Sequence, residues 1–101
     1  MAEVKWTDEA LDNLNEIAEY ISKGSIRYAE ITAAKLFSRT DILEQHPLIG
    51  RVVPEFSDKT IRQLIEGNYR IIYRVISEAE IHVIAVHHAK RRLTRRTIRR
   101  T

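Results

Sequence analysis

Three kinds of side chain in this sequence have the types and spacing to do chemistry. The first is a set of arginines: Arg70 and Arg74 lie four apart in the run Tyr-Arg-Ile-Ile-Tyr-Arg-Val-Ile, with Arg62 shortly before and Arg51 earlier still. A guanidinium offers a planar fork of donors that matches a phosphate. The second is His87-His88, with Arg91 and Arg92 just beyond. Histidine titrates near neutral pH, and nearby arginines disfavour its charged form, which suits a general base. The third is Glu55, a carboxylate that follows Pro54. A carboxylate, an arginine and a histidine together form an acid/base set for cutting RNA. The 2′-hydroxyl must lose a proton, the phosphate needs positive charge, and the leaving oxygen needs a proton.

Each of these has a plainer reading. Surface arginines commonly lie on a solvated face, here with Glu66 or Glu78 as cross-strand partners. A lone histidine is more often solvated than catalytic, and a loop carboxylate is ordinarily solvated. His46, His82, His87 and His88 show no ligand spacing, so no metal site is expected. With no cysteine there is no disulfide, thiolate nucleophile or thiolate metal site. No phosphate-binding glycine motif and no nucleophile elbow is present, so no cofactor is expected.

These residues need elements to position them. Val4–Trp6 reads as a short edge strand. Thr7 and Asp8 then cap a helix whose apolar face is Leu11, Leu14, Ala18 and Ile21, with Ile17 beside them. Gly24 stops it. Ser25 caps a second helix on Ala29, Ala33, Leu36, Thr40 and Leu43, which Pro47 ends. After the loop marked by Gly50 and Pro54 the period falls to two. Strands are expected over 60–66, 69–76 and 81–86, with Gly67-Asn68 as the first turn, in the reverse of the usual Asn-Gly order.

The expected fold is α+β: an N-terminal strand and a helical hairpin packed on one face of a twisted antiparallel sheet, in the order β-α-α-β-β-β. On the second core strand Tyr69, Ile71, Tyr73 and Val75 share one face, and Arg70, Ile72, Arg74 and Ile76 the other. The tyrosine face suits burial under the helices. Arg70 and Arg74 then lie on an open face, where Arg62 joins them. Adjacent strand residues point to opposite faces, so at most one of His87 and His88 serves any one site.

Length and charge bound the rest. The 101 residues suit one domain, expected over 1–90 with a basic tail over 91–101. The net charge of +3 averages −4 over residues 1–44, zero over 45–88 and +7 over 89–101. In the tail, Arg91, Arg95 and Arg99 repeat at four, as do Arg92, Arg96 and Arg100. On a helix these rows would form a basic stripe. Leu93 and Ile98 are too little apolar surface to hold the segment down, so it is expected to fray or to order on a polyanion or acidic protein. No apolar run is long enough to span a bilayer and the start lacks a signal-peptide pattern, so no membrane partner and a cytoplasmic location are expected. A chain this small buries only about 60–65% of its unfolded surface, which leaves room for a partner that covers apolar groups.

Four segments carry a resemblance: Pro47-Leu48-Ile49-Gly50-Arg51-Val52-Val53-Pro54-Glu55, Ile61-Arg62-Gln63-Leu64-Ile65, Gly67-Asn68-Tyr69-Arg70-Ile71-Ile72-Tyr73-Arg74-Val75, and Ile81 through His87-His88-Ala89-Lys90-Arg91. In this order, over about residues 3–92, the chain resembles the RelE/ParE superfamily of type II toxin–antitoxin toxins. The resemblance implies a small toxin that a cognate antitoxin wraps and neutralises. RelE-like members cut mRNA in the ribosomal A site, and ParE-like members poison DNA gyrase. Matched by motif, Glu55 falls at the loop acid, Arg70 at the strand arginine, and His88 (with Arg91) at a C-terminal His-x-x-Arg. These three are the catalytic candidates. Arg51, Arg62, Arg74, His87, Arg91 and Arg92 are the candidates for holding nucleic acid or another target.

Two departures stand out. No tyrosine follows Tyr73, whereas many ribonuclease members carry a terminal one. Arg92 stands where the family is often acidic, and the tail beyond it has no counterpart. The first reading the resemblance implies is an mRNA endoribonuclease working with ribosome and mRNA, and the alternative is a non-enzymatic gyrase poison. A third reading is a degenerate toxin that serves only as antitoxin ligand and co-repressor, touching operator DNA only through the antitoxin complex.

Overall fold

The computed structural model describes residues 1–94 of the chain. Its elements run β1 (Glu3–Trp6), α1 (Asp8–Ser22), α2 (Ile26–Arg39), a 3-10 turn (Thr40–Glu44), β2 (Arg51–Val52), β3 (Ile61–Glu66), β4 (Tyr69–Ser77) and β5 (Glu80–His88). The five strands form one sheet in the order β1-β5-β4-β3-β2. The α+β architecture with an edge strand and a helical hairpin is as expected. The sheet is mixed, however, and not purely antiparallel, because β1 pairs parallel with β5. That pairing joins the first strand to the last, and the hairpin carries the chain from β1 to β2 at the opposite edge of the sheet.

Local chemistry sets the boundaries. The Thr7 hydroxyl accepts from the Ala10 amide at 3.1 Å and donates to the Val83 carbonyl at 3.0 Å, so one residue caps α1 and ties it to β5. Ser25 caps α2 by accepting from the Tyr28 amide at 3.0 Å. The helix ends at Arg39, and the 3-10 turn carries the chain to the residues before Pro47. Gly67 alone has positive φ at its turn (58°), which is the type II′ pattern with glycine first; this explains the reversed Gly-Asn order.

The helix-side core contains Ala10, Leu14, Leu36, Leu43, Leu64, Ile71, Tyr73, Ile81, Val83 and Val86. The tyrosine face of β4 lies under the hairpin as expected. The face of α1 holds at Leu14, Ile17, Ala18 and Ile21, but in the first turn Ala10 is buried and Leu11 exposed.

The opposite face departs more. It carries its own cluster of Val53, Ile61, Ile72, Ile84, Ala85 and Leu93, with Phe56 against it. The register shift at Ile72/Tyr73 leaves Ile84 unpaired, and the two consecutive residues Ile84 and Ala85 thereby join one cluster. So the face expected to be open is roofed by the 53–56 loop and by Leu93. Leu93, expected to be too small an anchor, is 2% exposed. Past Thr94 the expected helical stripe and frayed tail lie outside the described residues.

Candidate functional site

The two-residue turn at Gly67-Asn68 fixes the β3–β4 register, with Glu66 opposite Tyr69 and Gln63 opposite Ile72. Gln63 and Arg70 therefore point to the same face. Across the β4–β5 ladder Arg70 lies directly opposite His87. The loop after β2 then lays Glu55 over this face.

Arg70 is 5% exposed, and all of its donors are engaged. Nη1 donates to Glu55 Oε2 and Nη2 to Glu55 Oε1, both at 2.9 Å, a bidentate pair. Nε and Nη2 donate to Gln63 Oε1 at 2.9 and 2.6 Å, and Nη1 donates again to the Arg91 carbonyl at 3.0 Å. A guanidinium has five N–H groups, and these five contacts use them. Glu55 Oε2 also accepts from the Leu93 amide at 2.9 Å. The hydrogen bonds from Arg70 hold the Glu55 carboxyl down at about 2, well below the usual carboxylate range, against an opposing effect of burial. The expectation of an open Arg70 facing solvent is thus corrected. It is a buried hub joining the loop, two strands and the C-terminal segment.

The histidines divide as strand alternation requires, and it is His87, not His88, that shares the face of Arg70. His88 lies opposite Tyr69, on the helix side of the sheet, exposed and edge-on to the Tyr69 ring at 6.1 Å. It is separated by the sheet from Glu55 and Arg70, so the expected trio is not brought together. His87 shares their face and is 8% exposed. Its Nδ1 accepts from Arg91 Nη1 at 3.3 Å, which leaves the proton of the neutral ring on Nε2. That Nε2 is buried without a hydrogen-bond partner among the described residues. Burial first, then the charges of Arg91 and Arg70, push the His87 pKa down to about 4, so the ring is neutral at pH 7.

The arginine platform is also taken apart. Arg62 pairs opposite Tyr73, which puts it on the other side of the sheet from Arg70. There it holds backbone: Nη1 donates to the Gly50 carbonyl at 2.9 Å and the Leu48 carbonyl at 3.3 Å, and Nε to the Lys59 carbonyl at 3.0 Å. Arg74 is half-buried, with Nε unpartnered among the described residues. Arg51, opposite Gln63 on the edge strand, is exposed, as are Arg91 and Arg92. Glu66, a suggested partner for the platform, instead approaches Arg39 at 3.5 Å.

The Pro…Gly-Arg segment has a structural explanation. The fully buried Tyr73 hydroxyl donates to the Pro47 carbonyl at 2.8 Å and accepts from the Gly50 amide at 2.9 Å. A Cβ on Gly50 would lie 2.5 Å from that hydroxyl oxygen, so glycine is needed for close approach and not for its φ. Burial raises the Tyr73 pKa, which keeps the phenol protonated as the donor this contact needs.

One residue of the hub was not singled out from sequence, Gln63, and Leu93 was named only as too small an anchor. The signal for Gln63 was present: it is the one polar residue in the row Ile61, Gln63, Ile65. Among the described residues no group of three or more His, Asp or Glu is placed to hold a metal, and no helix is long and apolar enough to cross a membrane.

The family model for the ParE toxin of the type II toxin–antitoxin system parDE matches residues 4–93. Toxin RelE2 of Caulobacter vibrioides is 31% identical over 91 residues, covering 90% of this chain and 99% of that protein. Putative toxin Y4kP of Sinorhizobium fredii is 33% identical over 88 residues, covering 85% and 86%. The fold is shared with a chain of the chromosomal ParDE system from P. aeruginosa, at a TM-score of 0.73 and 22% identity, covering 89% of this chain and 98% of that one. By sequence over nearly its whole described length, this chain belongs to the ParE toxin family of type II toxin–antitoxin systems, within the RelE/ParE superfamily.

Proposed function

We propose that this toxin acts by binding DNA gyrase and poisoning it, not by cutting RNA, and that a cognate antitoxin neutralises it. The observation that carries the reading is the saturation of Arg70. A phosphate-stabilising arginine needs free donors aimed at the developing charge, and Arg70 has given all of its own to Glu55, Gln63 and the Arg91 carbonyl. A general base must reach the proton it takes, yet Glu55 is held by Arg70 and the Leu93 amide, and His88 lies across the sheet. The family model, which is that of ParE, supports the same side.

In this reading the hub is a clamp. It fixes the loop and the C-terminal segment so that Arg51, Arg91 and Arg92 stand exposed in a set arrangement on a rigid sheet. For the antitoxin, the hairpin offers exposed Tyr20, Ile26, Tyr28, Ile31 and Phe37, an apolar surface that a wrapping partner would cover.

The test combines purified toxin with gyrase and supercoiled plasmid, and in parallel with ribosomes programmed with mRNA. The expected result is trapped DNA breaks and lost supercoiling with intact mRNA. Cuts in ribosome-bound mRNA with normal gyrase activity would overturn the reading. A ribonuclease reading retains one specific support, the exposed Arg51, Arg91 and Arg92 near the Glu55 loop, and it requires those cuts. Absence of both activities, with no growth arrest, would leave the degenerate toxin.

A further inference from the structure

We infer that Arg74 receives a carboxylate from the target protein, on the sheet face that also presents Arg51, and not the phosphate that its sequence context suggests. The inference rests on the gyrase reading above and names the chemistry by which that face recognises the enzyme. Of the three arginines on β3 and β4, two have work inside the fold. Arg70 is saturated by Glu55, Gln63 and the Arg91 carbonyl, and Arg62 holds the carbonyls of Leu48, Gly50 and Lys59. Arg74 makes no hydrogen bond or ion pair among the described residues, although it is half-buried and its Nε is buried.

Register defines its surroundings. Arg74 lies opposite Ile61 on β3 and His82 on β5, and His82 lies beside Lys5 on β1. One row thus crosses four strands on the face away from the hairpin. Its other basic groups are taken. His82 Nε2 is 2.6 Å from Glu80 Oε2, and Lys5 Nζ is 3.4 Å from Glu3 and 3.7 Å from Glu80. No Asp or Glu follows Glu80 in the sequence, so the rest of the chain brings no side-chain carboxylate to Arg74.

A half-buried guanidinium with an unpartnered Nε costs stability, whereas a β-branched apolar side chain suits a strand position. A residue that breaks this rule in the free chain is explained by a partner that supplies the acceptor. The row selects a protein as that partner. A phosphate backbone is held by several closely spaced cations, but among the described residues this row leaves only Arg74 unpaired, and Glu80 adds negative charge to the same face. A single planar fork near Ile76, which is 45% exposed, suits one bidentate carboxylate set among apolar contacts. Arginine anchors protein interfaces in such surroundings.

The test compares the natural chain with Arg74→Met and Arg74→Lys, each purified free of antitoxin. Three quantities are read: the melting temperature, the toxin concentration that traps half-maximal gyrase-linked DNA breaks, and the affinity for the cognate antitoxin. Arg74→Met should melt no lower than the natural chain, and at least about tenfold more of it should be needed against gyrase. Arg74→Lys should lose potency as well, because an ammonium lacks the fork. Antitoxin affinity should change less than about twofold in both, because the hairpin lies on the other face. A folded Arg74→Met toxin as potent as the natural chain would overturn this inference alone, whereas a natural chain without effect on gyrase would overturn the gyrase reading and this inference with it. A markedly lower melting temperature would overturn it by giving Arg74 a role in the fold, and a parallel loss of antitoxin affinity would assign the residue to the antitoxin. Weaker binding of Arg74→Met to a labelled RNA or DNA duplex, measured without gyrase, would assign it to phosphate.

Discussion

The two faces of the sheet are held by different physics. Under the hairpin, Leu14, Leu36, Leu43, Ile71, Val83 and Val86 exclude water by apolar area, each large side chain contributing roughly 2 kcal/mol. On the other face the apolar cluster is small, and at its edge one guanidinium gathers a carboxylate, an amide side chain and a backbone carbonyl from three other stretches of chain. Area burial is forgiving, because neighbours relax around a lost methyl. A buried charge network is not, because removing one member leaves another charged without a partner. In this toxin the forgiving face lies under the helices, and the exacting one fixes the segment that carries the exposed arginines.

Breaking the exacting face should cost most. Arg70→Met leaves Glu55 unpaired and is expected to destabilise by about 4 kcal/mol in urea denaturation. Adding Glu55→Gln to it should recover part of that loss, because the stranded charge is gone. If Arg70→Met alone were nearly neutral, the clamp would be of no consequence. Leu36→Ala, on the forgiving face, should cost about 3 kcal/mol, chiefly from the cavity it leaves, and should not change the pH dependence of stability. Tyr73→Phe strands the Pro47 carbonyl and the Gly50 amide, and about 2 kcal/mol is expected by the same measurement.

The pH profile sharpens the contrast further. Both groups with strongly shifted values, Glu55 and His87, lie on the second face, and both are depressed on folding. For His87 the neutral form is favoured, so its stability is fully present above about 6.5 and is lost as pH falls through about 4. For Glu55 the charged form is favoured, so its contribution is full above about 4.5 and is lost as pH falls toward about 2. The urea midpoint should therefore decline in two steps on acidification. His87→Leu should remove the upper one, whose slope is at most about 1.4 kcal/mol per pH unit. An unchanged profile in that variant would contradict the buried neutral state.

The hairpin and the strands were legible because their periods of 3.6 and 2 are local. Thr7 and Ser25 marked the helix starts by chemistry confined to a few residues, whereas α2 ends at Arg39, well before Pro47. The face of Arg62 was misread, although carrying the turn through would have given it. A two-residue turn at Gly67-Asn68 puts Arg62 opposite Tyr73 and hence away from Arg70. What sequence could not supply was the roof. Glu55, Gln63, Arg70 and Leu93 meet across gaps that no periodicity spans, and a strand face looks open until a distant loop closes it. Hence Arg70 read as a free phosphate-binding group, and Leu93 as too small to anchor anything.

The most direct measurement is growth arrest by Glu55→Gln, expressed without antitoxin and compared with the natural chain at a temperature where both are folded by circular dichroism. Glutamine keeps the shape and one oxygen that can accept from Arg70 Nη1 and the Leu93 amide, but it loses the bidentate pair and cannot act as a base. If Glu55 is a clamp and not a base, the variant is less stable, but where it is folded arrest persists together with its gyrase-linked DNA breaks. Loss of arrest in a folded protein would contradict the clamp and return Glu55 to catalysis.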